Sequence, residues 1–152
     1  MDLFEHFKSI SLEFAERTKL SAFDFREREG FALSFEHIDI NVGVRTERNE
    51  LLAIAFINKF SDIDAEATYR KLLERNFLIS DDISGAFGVT PGENIVTFSS
   101  KIELETAKAE DLYKLISLSC KTAFSWFKEN TDEEVVEAVN IEADMPFGAM
   151  KI

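Results

Sequence analysis

The side chains best suited to chemistry are few and scattered. His6 and His37 are the two histidines, Cys120 is the sole cysteine, and twenty-nine carboxylates are spread along the chain. Neither histidine has a cysteine or a second histidine at ligand spacing, which argues against zinc, and both read as surface residues. A single cysteine permits no internal disulfide and no CxxC site. The run DIDAEA (62–67) opens like a calcium loop. That loop needs glycine at its sixth position and glutamate at its twelfth, and here those positions hold Ala67 and Leu73. Gly85, Gly88 and Gly92 suggest a phosphate cradle. Their spacing fits neither GxGxxG nor GxxxxGK[ST], and no helix follows, so they read as strand and turn glycines. No GxSxG occurs, and no serine or cysteine has a recognisable base beside it. Carboxylates are abundant, but abundance is not pairing. The residues point to no catalytic group, no metal, no ATP use and no cofactor.

The elements that carry these residues are legible from periodicity. Residues 2–20 form an amphipathic helix, with Leu3, Phe7, Ile10 and Phe14 on one stripe. Leu12 falls on the opposite side, as a scattered surface leucine or as part of a partner-binding patch. After Gly30 the period changes to two. Phe31, Leu33 and Phe35 alternate with Ala32, Ser34 and Glu36, and Ile38, Ile40, Val42 and Val44 continue the alternation beyond His37. LLAIAFI (51–57) is apolar at every position, as in a central strand or one covered on both faces. Short connections make these three strands an antiparallel meander.

A second helix follows Ser61 and Asp62, its N-cap candidates, with Asp64 and Glu66 in the first turn where the helix dipole favours acids. Ala65, Tyr69, Leu72, Leu73 and Asn76 share one face, and Asn76 is placed to end the helix in a left-handed conformation. Phe87 and Val89, a Pro91-Gly92 turn, and the alternating Val96, Phe98, Ile102 and Leu104 make a hairpin. The third helix spans about Thr106 to Asn130, with Leu112, Leu115, Ile116, Ser119, Ala123, Trp126 and Phe127 on its main stripe. Tyr113, Cys120 and Phe124 widen that stripe, so this helix packs on more than one element and Cys120 is a buried, inert thiol. The order α-β-β-β-α-β-β-α gives an α+β fold with an antiparallel sheet and three helices.

Composition bounds the rest. The 152 residues fit one domain, here 1–130, and 45% apolar content excludes a wholly disordered chain. Fifteen phenylalanines are many for this length, and a surplus over what the core needs would lie on the surface. The formal charge is −12, and residues 129–152, with seven acids and one base, supply half of it. Phosphate backbones and anionic membranes are therefore poor partners. Residues 131–152 read as an acidic tail whose apolar end, MPFGAMKI, docks on the domain or on a partner. The start, MDLFEHFKSI, lacks a signal-peptide pattern and no stretch approaches eighteen apolar residues, so a cytoplasmic location without membrane insertion is expected.

The pattern as a whole resembles the class I chaperones of bacterial type III secretion, the CesT-like group. The resemblance spans roughly residues 2–130. It is carried by Leu72-Leu73-x-x-Asn76 with Phe77-Leu78, by Gly85, by the strands with Phe87, Val89, Val96 and Phe98, by Gly30, and by Trp126. The chain departs from the group at Ser84-Gly85, where paired glycines are common, and in continuing some twenty residues past the third helix. The resemblance implies a homodimer that holds the N-terminal region of a secreted effector in extended form, without ATP. It implies dimerisation through Tyr69, Leu72, Leu73 and Phe77, and effector binding at Leu12, Phe14, Phe31, Leu33 and Phe35. Two rival readings are a regulatory protein of YbjN-like outline and a small enzyme or ligand-binding domain with a pocket between helix and sheet.

Overall fold

The computed structural model describes residues 1–19, 30–79 and 84–131. The expectations for Leu20 and for the tail beyond Thr131 lie outside the described residues. Helix α1 (Leu3–Thr18) starts where the Asp2 carboxylate accepts the backbone N–H groups of Phe4 and Glu5, and stops at Lys19 in the left-handed region. It buries Phe7, Ile10 and Phe14, as its periodicity requires. Strands β1 (Phe31–Ser34), β2 (Asp39–Arg45) and β3 (Glu50–Lys59) form the meander, helix α2 (Ala65–Leu78) follows, strands β4 (Gly85–Val89) and β5 (Ile95–Glu103) form the hairpin, and helix α3 (Ala109–Asn130) closes the order.

The sheet runs β1-β2-β3-β5-β4, antiparallel throughout. LLAIAFI is thus the middle strand. Leu51, Ala53, Ala55 and Ile57 are buried on one face, and Leu52, Ile54 and Phe56 lie half-buried on the other. Helix α3 crosses the inner face over β3 and β5, with α1 alongside it. The core aromatics interlock: Phe31 stacks on Phe7 at 6.1 Å and on Phe14 at 6.4 Å, and Phe87 sits between Phe98 at 5.1 Å and Trp126 at 5.4 Å. The Trp126 Nε1–H donates to Asn58 Oδ1 at 2.9 Å, so the indole is buried without losing a hydrogen bond.

Three local expectations change. Helix α3 starts at Ala109, not Thr106. Residues 104–107 make a separate turn, with the Ala107 N–H donating to Leu104 O, and the Asp111 carboxylate accepts the Lys108 N–H just ahead of the helix. Asn76 does not end α2. The helix continues to Leu78 and leaves through Ile79 in an extended conformation, while the Asn76 side chain bonds to Phe87 on β4. The histidines are not free surface groups. His6 Nε2 lies 2.9 Å from Ala107 O, which fixes a proton on that nitrogen and ties α1 to the turn before α3. His37 stacks on Phe127 with ring centres 4.8 Å apart.

Gly30 is the tightest point of the meander. Its φ is +97°, and a Cβ there would lie 1.9 Å from Val42 O. Gly30→Ala meets both a strained backbone and a backbone collision, so it should lower unfolding stability by more than about 1 kcal/mol. Urea unfolding followed by circular dichroism reads this directly, and an unchanged midpoint would show that the close approach is absent.

Candidate functional site

The apolar side chains left in solvent gather on α2. This helix is cut from the core more than α1 or α3, since Leu72 is its single buried residue. Tyr69, Leu73 and Phe77 follow at one-turn spacing on its outer face, and Leu73 and Phe77 are 71% and 87% exposed. Ile63 ahead of the helix and Leu78 near its end are exposed as well, Leu78 on the flank of Lys71, Glu74 and Arg75. Tyr69 is held by an edge-on contact with Phe60 at 5.7 Å. Beside the row lies a cleft of about 440 Å³, bounded by Tyr69, Leu72 and Leu73 on one side and by Phe87, Val89 and Pro91 on the other. Exposed rows of large apolar residues on a folded domain mark contact surfaces.

Of the expected dimer residues, the structure brings Tyr69, Leu73 and Phe77 to one exposed face. Leu72 turns inward and lines the base of the cleft. Of the expected effector residues, only Leu12 stands on the surface, at 50% exposure. Phe14, Phe31, Leu33 and Phe35 are core residues and cannot serve as surface contacts as they stand. The reason is the pleat: Phe31, Leu33 and Phe35 point into the core, where Phe31 meets Phe7 and Phe14 of α1, while Ala32, Ser34 and Glu36 point to solvent. What β1 presents to a partner is its backbone. Phe35 and Ile38 exchange both hydrogen bonds across the β1–β2 turn, so Leu33 and Phe31 also bond inward to β2. The N–H and C=O groups of Ala32 and Ser34 therefore aim off the edge of the sheet.

Sequence reasoning missed the outer face of the sheet, although LLAIAFI carried its signal. There a cleft of about 350 Å³ lies over Leu52 and Ile54, rimmed by Arg45, Ser99 and Lys101. Glu50 neutralises that rim. Its carboxylate accepts from Lys101 Nζ at 2.8 Å and lies 3.8 Å from Arg45. The Lys101 hydrogen bond holds the Glu50 carboxyl below the usual carboxylate range, outweighing its partial desolvation. By contrast, burial alone pushes the Cys120 thiol far up, which keeps it protonated and unreactive. Among the described residues no cluster of three or more His, Cys, Asp or Glu is placed to hold a metal, and no helix is long and apolar enough to cross a membrane.

The sheet carries helices on its inner face and turns an apolar helix row outward. The model of the Tir chaperone protein (CesT) family matches residues 12–126, and this chain belongs to that family. Solved structures with the same fold include the HopA1-SchA chaperone-effector complex, at TM-score 0.66 and 12% identity, covering 82% of this chain and 95% of the other. The ExsC-ExsE complex aligns at TM-score 0.68 and 18% identity, covering 88% of this chain and all of the other. The Yersinia pestis type III secretion chaperone SycH, in complex with a stable fragment of YscM2, aligns at TM-score 0.62 and 16% identity over 78% of this chain and 98% of that one. Among curated protein sequences none matches significantly.

The Glu50 contacts predict an acid dependence with a definite sign. A carboxyl whose folded pKa is depressed stabilises the fold above its unfolded value and loses that contribution as pH falls through the folded one. The Glu50 contribution should thus be complete at neutral pH and decline as pH falls below the ordinary glutamate value of 4.5. Glu50→Gln should flatten this part of the stability profile. Chemical unfolding at a series of pH values between 3 and 7 checks it, and parallel profiles for both proteins would rule the coupling out.

Proposed function

We propose that this protein is a type III secretion chaperone that acts as a dimer and holds the N-terminal segment of one or a few effector proteins extended for export. It works by binding, without ATP and without a catalytic step. The observation that carries this reading is the row of Tyr69, Leu73 and Phe77, left in solvent by a family fold whose core is already filled. In this reading a second copy of the chain supplies the matching apolar row, with a two-fold axis setting each row against its twin. The similar structures that contain effectors or partner fragments support the second half of the reading.

The effector segment has a physical seat at β1. Extended chains add to an open sheet edge through main-chain hydrogen bonds and set alternate side chains into neighbouring apolar ground. Ala32 and Ser34 supply the outward backbone groups, and Leu12 on α1 supplies an exposed apolar contact. The chain's acidity, −12 overall, favours basic segments over acidic ones among its possible partners.

Two outcomes test the halves separately. Leu73→Asp and Phe77→Asp place charge in the dimer contact and should weaken self-association about 30-fold or more in sedimentation equilibrium, with the far-UV spectrum unchanged. Ala32→Pro removes an outward N–H without taking a bond from β2, and should sharply reduce recovery of a co-expressed effector N-terminal segment while leaving the dimer intact. A wild-type chain that sediments as a monomer and retains no effector segment would sink the proposal.

A further inference from the structure

The sheet has two edges, and the structure treats them differently. On β4 the Thr90 N–H donates to Ile95 O at 2.9 Å, which sets the phase of the hairpin. Residues 86 and 88 therefore bond inward to β5, and the backbone groups of Gly85, Phe87 and Val89 face outward. The middle one of these is occupied. The Phe87 N–H donates to Asn76 Oδ1 at 2.7 Å, and Asn76 Nδ2 donates to Phe87 O at 3.0 Å. One side-chain amide thus makes both bonds that a neighbouring strand would make to that residue. Outward residues on one strand recur every second position, about 7 Å apart. With Phe87 taken, Gly85 and Val89 are left as isolated rungs on either side, too far apart to start a ladder.

We propose that Asn76 is an edge guard: its amide stands in for a strand, closes β4 to chain addition, and leaves β1 as the edge open, among the described residues, to an extended partner. The guard itself rests on this geometry alone, and its consequence for β1 rests on the function proposed above. Exposed sheet edges are templates for unwanted pairing, and proteins commonly protect them by a covering element. Here the cover is specific, because α2 reaches the edge through one residue whose two hydrogen bonds fit a strand's pattern. It also explains why an asparagine interrupts the apolar face of α2 while the helix runs on past it.

Full-length Asn76→Ala and Asn76→Asp test the guard. Amide hydrogen exchange should accelerate about ten-fold or more at Phe87 in Asn76→Ala, while the inward-bonded Gly88 and Thr90 stay protected. Asn76→Asp retains the acceptor for the Phe87 N–H and should keep that amide slow. Asn76→Ala should also form larger species with rising concentration, and adding Val89→Pro, which blocks the outward edge, should abolish them. Two results overturn the proposal: unchanged Phe87 exchange in Asn76→Ala, or accelerated exchange with an unchanged sedimentation profile. Neither result bears on effector capture by the wild-type chain, so the chaperone reading is judged by its own experiment.

Discussion

The long helix α3 lies against the inner face of the sheet with Leu112, Leu115, Ile116, Ser119, Cys120, Ala123, Trp126 and Phe127 buried. Nearly half its circumference is apolar, so it can cover β3 and β5 and still offer a flank to α1. Each fully buried leucine, isoleucine or phenylalanine of this set contributes on the order of 1.5–3 kcal/mol, and no other described element buries as many side chains. The helix also carries polar anchors at defined points along its length. Ser119 accepts or donates across to Ser100 at 3.0 Å in the middle, and Trp126 reaches Asn58 near the end. These bonds fix how far α3 can slide along the sheet.

Ties at the ends of α3 hold the periphery in place. His6 pins α1 to Ala107 just before α3 begins, and His37 rests on Phe127 near where it ends. Arg75 pairs with Glu129, which draws α2 toward the same end. At the opposite side of the sheet, Asn49 in the left-handed region accepts the Leu104 N–H on its carbonyl and the Glu105 N–H on its side chain. The β2–β3 turn and the exit of β5 are thus one unit. Among the described residues, inner-face packing and end-to-end polar ties leave α2 and the β1 edge as the parts with capacity for another chain.

The element order, the central position of LLAIAFI and the burial of Cys120 were legible because each rests on local periodicity or simple composition. The effector-facing residues were not. Phe31, Leu33 and Phe35 announce one apolar face, but alternation does not say whether that face meets the core or a partner, and it meets the core. The aromatic surplus was partly informative: among the described phenylalanines Phe77 stands out, 87% exposed on α2. Asn76 was misjudged because a polar residue near a helix end has a strong local explanation as a cap. Its actual partners lie eleven residues away on another strand, a relation that no local pattern encodes. The histidines were misjudged for the same reason, since their contacts join residues distant in sequence.

The thin attachment of α2 has a thermodynamic meaning of its own. A helix that buries one side chain and is tied down by an amide and an ion pair has a small free energy of local opening. The rest of the fold is held by the many side chains that α3 buries. By this difference in attachment α2 is the weaker unit, and it displays most of the large exposed apolar side chains among the described residues. Whatever sits on that surface stabilises the weaker unit by mass action, and its departure loosens α2 while the sheet and its inner helices stay folded.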